Sequence, residues 1–312
     1  MKKILAILPK SIGGRLTTES LISGFKKNGF EVVVFDELKD KILPHLNFEY
    51  IIGYDYSPLR IKIDNNLKPP CICYFSDVIQ SKTAGVEYKD YYKYLFNKDV
   101  FVFYWDRALS LKEGFFYMPH FVDCTIYRDF LPPKVDVLFA GRLDTDLRLK
   151  TYLELNKRLK NLKFRFCAIE RHYKDAIVRC NSELERDIIK NTYFGFIDNE
   201  KDMARVINEA KIVYNINSQG ISSLNYRSIQ TLACKRLLIS DNRLELDLFG
   251  GIIPIWDDID DLVKKITFYL SDSKQYDNIV QKARKLIELN HDSAICTGRI
   301  LEIISQAGLY NF

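Results

Sequence analysis

The chain has no apolar run long enough to cross a bilayer, which takes roughly 20 residues. Its opening stretch, Met1-Lys2-Lys3-Ile4-Leu5-Ala6-Ile7-Leu8, has the charge and apolarity of a leader. It is too short for one, and it runs into Pro9-Lys10-Ser11 with no small-residue cleavage site. It is read as a first β-strand, and the chain as cytoplasmic. Histidine is scarce. His45, His120, His172 and His291 are scattered, none at ligand spacing from a cysteine, so no metal site is expected. The seven cysteines are odd in number and irregular in spacing, which argues against a disulfide framework. Most lie in apolar runs, where a thiol behaves as a small hydrophobe. Cys71 and Cys73 alternate along a strand-like run and face opposite sides, which argues against a zinc pair. Low-complexity tracts and short-period repeats are absent, which removes solenoids. Neither a GxGxxG fingerprint nor a Walker A loop occurs.

What is there suits a two-domain α/β protein. The 312 residues allow two domains of about 150 each. A hydrophobic content of 47% is enough for two cores. The net charge of +5 fits a protein that handles phosphates, an anionic membrane or nucleic acid, and does not choose among them. Short apolar runs alternate with helical segments. Strands are expected at 3–8, 31–35, 50–52, 71–75, 100–104 and 115–118, and helices at 17–28 and 90–96. Pro132-Pro133 interrupts the pattern. It then restarts with strands at 136–140, 164–168, 192–196, 212–215 and 252–255. Helices are expected at 149–159, 183–189, 201–209, 259–270, 276–289 and 293–307. This order implies two Rossmann-like halves, 1–131 and 132–292, facing across a cleft, with a C-terminal helix at 293–312 that packs back on the first half.

One window stands out. Ser222-Ser223-Leu224-Asn225-Tyr226-Arg227-Ser228-Ile229-Gln230-Thr231-Leu232-Ala233-Cys234 reads as a polar loop and a short helix, followed by a buried strand ending at Ser240-Asp241. Ser222 or Ser223 is the expected cap. Ile229, Leu232 and Ala233 make one apolar face. Asn225, Arg227 and Gln230 stay near the helix start, where free amides and an arginine suit a diphosphate and Gln230 could bond a hydroxyl. The plain alternative is an amphipathic helix with a surface arginine.

The window resembles the donor-site helix of GT-B glycosyltransferases, in particular the spore-maturation (CgeB-like) group. Asn225, Arg227, Leu232, Ala233 and Cys234 match its pattern. Gln230 stands where that group has glutamate, and Lys235 where it has glycine. The resemblance runs from about Asp136 to Arg299 and is best between Ala210 and Phe249. It implies a GT-B architecture and a metal-independent transfer of a sugar from a nucleotide-diphosphate donor, UDP-linked by preference. The acceptor is left open among a glycan, a protein and, as the weakest of the three, a nucleic acid. Many retaining members carry two glutamates eight positions apart. Ser222 and Gln230 occupy those places here, so a diverged, nucleotide-binding protein without catalysis is the second reading.

Ligands of open α/β sheets bind beyond the carboxyl ends of the strands, which selects the loops to inspect. After the first strand come Gly13, Gly14 and Arg15, which the resemblance sets along the cleft. Asp77 follows the strand at 71–75 and is the candidate general base, with His120 as a substitute. His120 lies in Pro119-His120-Phe121-Val122-Asp123, a segment like the one that precedes the GT-B linker. Gly141, Arg142 and Arg148 follow the strand at 136–140 and are assigned to the diphosphate, whose charge they would neutralise without metal. Tyr173, Phe196 and Ile197 are candidates for the nucleobase. Asn217 is placed at the transferred sugar. Asn225, Tyr226 and Arg227 complete the diphosphate site, and Gln230 is assigned to the ribose.

Overall fold

A computed structural model describes residues 1–44, 47–75, 90–217 and 222–309. The chain divides into two compact units: one of Met1–Cys124, Ser218–Ser223 and Leu289–Phe312, the other of Thr125–Asn217 and Leu224–Glu288. Each is built on its own parallel sheet.

The first unit contains β1 (Lys3–Leu8), β2 (Glu31–Asp36), β3 (Tyr50–Tyr54), β4 (Cys71–Phe75), β5 (Val100–Tyr104) and β6 (Phe116–Tyr117). They lie in the order β2-β1-β3-β4-β5-β6, all parallel. Parallel strands are covered on both faces and so read as unbroken apolar runs. β4 is buried at every position. Helices α1 (Ile12–Lys27), α2 (Ser57–Asp64) and α3 (Arg107–Glu113) belong to the same unit. Asp106 caps α3, accepting from the Leu109 amide.

The second unit contains β7 (Val135–Ala140), β8 (Phe164–Cys167), β9 (Tyr193–Gly195), β10 (Ala210–Asn215) and β11 (Leu237–Ser240). Their order is β11-β10-β7-β8-β9, again all parallel. Helices α4 (Asp146–Arg158), α5 (Glu170–Val178), α6 (Glu183–Thr192), α7 (Glu200–Asn208), α8 (Tyr226–Ala233), α9 (Ile259–Ser271) and α10 (Ser273–Asn290) complete it. Phe139, Tyr152, Phe166 and Tyr214 form the aromatic centre of its core.

After α10 the chain re-enters the first unit as α11 (Ser293–Leu309), which packs on α1. A Cβ at Gly24 would run into the Ser293 carbonyl, so glycine lets the two helices approach. Asn28 Nδ2 donates to Thr297 Oγ1 at 2.8 Å and to the Ala294 carbonyl at 2.9 Å across the same seam.

Two expectations are corrected. Residues 252–255 form no strand, only an isolated bridge between Ser240 and Ile255. The cap of α8 is Asn225, whose Oδ1 accepts from the Ser228 amide at 3.0 Å. Ser222 and Ser223 lie ahead of that turn and bond to Asp106 instead. Among the described residues no helix is long and apolar enough to cross a membrane.

Candidate functional site

In the second unit the strand order reverses at β7, which has β8 on one side and β10 on the other. A crevice at the carboxyl ends of such strands is where open α/β sheets take ligands. Gly141 and Arg142 leave β7 there, and Ile216 and Asn217 leave β10.

Arg148 ties the two strand ends together. It sits in the first turn of α4, whose Thr145 cap accepts from its amide at 3.2 Å. Its Nε and Nη2 donate to the Ile216 carbonyl at 3.1 and 2.5 Å, and its Nη1 donates to the Arg142 carbonyl at 3.2 Å. Burial pulls its pKa down, and Asp144, 3.3 Å away, opposes that shift. The guanidinium is thus committed to the protein. Arg142 is more open, with Nε 3.3 Å from Asp144.

Arg227, in the first turn of α8, is placed differently. Its Nη1 donates to Gln230 Oε1, and Gln230 Nε2 donates to the Tyr127 hydroxyl. Its Nε is buried without a partner. The ionisable groups acting on it are the side chains of Tyr127, Cys167, Tyr226 and Cys234, none of them a carboxylate. Burial again pulls the pKa down. Among the described residues no carboxylate is paired with this cation. Gln230 is 0% exposed with both ends of its amide engaged, so its side chain orients Arg227. Tyr226 turns away, donating to Glu200 at 2.8 Å.

Asn225 Nδ2 donates to Asn215 Oδ1 at 2.6 Å, joining the start of α8 to the end of β10. Asn217 Nδ2 donates to Asp241 Oδ1 at 2.9 Å. Beside β8 and β9, Tyr173 stacks on Tyr193 with ring centroids 4.1 Å apart. Phe196 is exposed and Ile197 buried just after β9. Gly141, Arg142, Arg148, Asn217, Asn225, Arg227 and Gln230 thus all belong to this one unit, as do Tyr173, Tyr226, Phe196 and Ile197.

The remaining candidates belong to the first unit. Gly13 and Gly14 open α1. A Cβ at Gly14 would lie 2.5 Å from Tyr54 Cδ1, so this glycine serves close packing, while Gly13 faces open space. Arg15 makes a two-pronged pair with Asp36, 2.8 Å on each side, and the Asp36 carboxyl is held well below the usual range by that arginine. His120 is 4% exposed. Its Nδ1 is 3.3 Å from the Tyr74 hydroxyl, and its ring lies 5.1 Å from that of Trp105. Burial pushes its pKa down to about 3. Asp77 lies outside the described residues.

Residues 150–302 match the family model described as "Glycosyl transferase-like". Solved structures align with the whole chain. Sucrose-phosphate synthase from Thermosynechococcus elongatus is 12% identical, with 98% of this chain and 100% of that one covered and a TM-score of 0.68. A glycosyltransferase from Rickettsia africae ESF-5 is 14% identical, with 100% and 99% covered and a TM-score of 0.67. Anabaena Alr3699/HepE, in complex with UDP and glucose, is 12% identical, with 98% and 99% covered and a TM-score of 0.68. The chain has the GT-B fold, and nearly half of it, in the second unit and the start of the last helix, matches the glycosyltransferase-like family. No curated protein matches its sequence.

Three residues near the start of α8 escaped the sequence reading. Tyr127 takes the far end of the Gln230 amide. Glu245, 3% exposed, accepts from the Leu224 amide at 2.9 Å and so fixes the approach to α8. Asn215 meets the α8 cap. Only Asn215 left a signal, as a polar residue closing the apolar run 212–214. Among the described residues, no group of three His, Cys, Asp or Glu side chains is placed to hold a metal ion.

Proposed function

We propose that the protein is a glycosyltransferase that moves a sugar from a UDP-linked donor to an acceptor hydroxyl, and that its second unit holds the donor at the carboxyl ends of β7 and β10. The observation that carries the reading is Arg227. A half-buried guanidinium that, among the described residues, has no carboxylate paired with it and a buried N–H without a partner calls for an anion from outside. The first turn of a helix favours the same charge. A diphosphate meets both demands, with Arg142 as the second cation.

In the transfer the bond from the sugar C1 to the β-phosphate oxygen breaks, and its electron pair goes to that oxygen. Arg227 and Arg142 stabilise the growing charge by position, with no metal required. The acceptor oxygen bonds to C1 and gives up its proton. Asp77, following β4, is our candidate for the base if the transfer inverts. Phe196 and Tyr173 are assigned to the base of the nucleotide. The pattern Asn225, Arg227, Leu232, Ala233, Cys234 supports the spore-maturation (CgeB-like) group as the narrower kinship. We expect a glycan or protein acceptor ahead of a nucleic acid.

A second reading has its own support. The Ser222 amide and hydroxyl are bonded to Asp106, and Gln230 is closed in by Tyr127 and Arg227, so neither supplies an acid at the donor. That favours a protein that binds nucleotide without turnover.

Calorimetric titration of UDP, GDP, dTDP and CMP and their common sugar conjugates, with EDTA present, tests the assignment. The wild type should select uridine nucleotides, and Arg227→Ala should weaken them at least a hundredfold, since a buried cation–phosphate contact is lost. Asp77→Asn should bind as wild type and lose transfer and donor hydrolysis. A folded wild type that binds no nucleotide would sink the donor site. Binding with neither transfer nor hydrolysis by the wild type would leave the second reading standing.

A further inference from the structure

Two asparagines at the end of β10 carry polar atoms that no described residue answers. Asn215 is 5% exposed and Asn217 is 9% exposed. Among the described residues, Asn215 Nδ2 and Asn217 Oδ1 are both buried without a hydrogen-bond partner. Buried polar groups are nearly always paired, so each orphan asks for an explanation.

Their chemistry is fixed by their neighbours. The Asn225 Oδ1 accepts from the Ser228 amide at 3.0 Å and from the Ser228 hydroxyl at 3.1 Å. Its other end is therefore the NH2 group, which can only donate, so the atom of Asn215 facing it is the oxygen. The free atom of Asn215 is then a donor. On the other side, Asp241 is a carboxylate held 2.8 Å from Arg243 Nη2, and it accepts only. The atom of Asn217 that meets it is the NH2 group, which leaves the Asn217 oxygen as a free acceptor.

The two lie on one side of the chain. Tyr214 and Ile216 enter the core of the unit, so Asn215 and Asn217, alternating with them, face the opposite way. The ladder to β11 continues past the strand end: the Asp241 amide donates to the Asn215 carbonyl at 3.3 Å, and the Asn217 amide donates to the Asp241 carboxylate at 3.2 Å. The backbone is thereby held extended through both residues, with the start of α8 joined to Asn215.

We propose that Asn215 and Asn217 are a hydroxyl-reading pair of the donor site, with Asn215 Nδ2 donating to a hydroxyl oxygen whose proton goes to Asn217 Oδ1. A hydroxyl is both donor and acceptor and satisfies both orphans at once. The inference rests on the reading of this crevice as the donor site. It adds Asn215 as a binding residue and gives the pair a chemical role. A nucleotide sugar offers such hydroxyls on its ribose and on its transferred sugar.

Titration separates the two sources. The wild type, Asn215→Ala and Asn217→Ala are titrated with UDP, with a uridine diphosphate lacking both ribose hydroxyls, and with UDP-glucose, UDP-galactose and UDP-N-acetylglucosamine. If the pair reads the transferred sugar, each variant loses roughly tenfold toward the preferred UDP-sugar and holds UDP as the wild type does. If it reads the ribose, each variant loses roughly tenfold toward UDP and every UDP-sugar, and holds the deoxygenated nucleotide unchanged. Variants that bind every ligand as the wild type does, or that lose equally toward all of them, overturn the pair. A wild type that binds none of the ligands overturns the donor reading, and the pair with it.

Discussion

Arg148 and Arg227 are partly or wholly withdrawn from solvent in the same unit, yet they do different work. Every nitrogen of Arg148 faces a protein oxygen, two of them the Ile216 carbonyl across the strand order reversal. Truncating it strands the buried Ile216 carbonyl and opens space, so Arg148→Ala should cost about 3 kcal/mol of stability. Arg227 has one neutral side-chain partner and an unanswered Nε. Arg227→Ala should stay within about 1 kcal/mol of the wild type in stability while losing UDP, because relief of an uncompensated cation offsets the lost contacts. Urea denaturation of both variants decides this, and equal losses would refute the division. The sequence marked both arginines for phosphate from their place after a strand and at a helix start. It could not separate them, because the acceptor that claims Arg148 lies 68 residues away. The same distance problem hid Tyr127 from Gln230, 103 residues apart.

At the scale of elements, the legible parts were those whose signal is local. Strands such as β1, β4 and β7 are continuous apolar runs because parallel strands are covered on both faces. Helices with long apolar periodicity, α9 and α10, were also plain. Two short helices of the first unit were not. α2 and α3 have eight and seven residues, too few for a period to declare itself. The run at 252–255 has strand composition but meets the edge strand β11 at a single position, Ile255 opposite Ser240. The cap of α8 was misassigned because serine and asparagine cap about equally well, and only the chain path shows that Asp106 has taken Ser222 and Ser223. Asn225 therefore has two duties, closing α8 and meeting Asn215. Asn225→Ala should cost about 1 kcal/mol from the lost cap. A chemical-denaturation midpoint unchanged from the wild type would show that the Ser228 amide finds another partner.

The whole molecule is two parallel sheets, each with its own core, and this plan was readable from the alternation of apolar runs and helical segments. What alternation does not reveal is which polar groups end up inside. In the first unit two histidines are buried: His120 against Tyr74 and Trp105, and His291 with Nδ1 donating to the His120 carbonyl at 2.8 Å. Burial lowers the pKa of His120 to about 3 and that of His291 to about 4. In the unfolded chain both titrate near 6.5. Between pH 6.5 and about 4 the unfolded chain therefore binds protons that the folded unit refuses, and stability must fall as the pH drops. Each histidine contributes a slope of up to about 1.4 kcal/mol per pH unit across that window. Asp36, whose carboxyl is depressed by Arg15, adds to the loss only at lower pH, as its own proton returns. The two effects are separable. His120→Gln removes one titrating group, so its stability curve between pH 6.5 and 4.5 should be shallower by about one proton than that of the wild type, while the two curves should run parallel above pH 7.5. Urea denaturation at half-unit steps of pH measures both curves. Identical slopes below pH 6.5 would mean that water reaches His120 in the folded protein and that its burial does not govern acid stability.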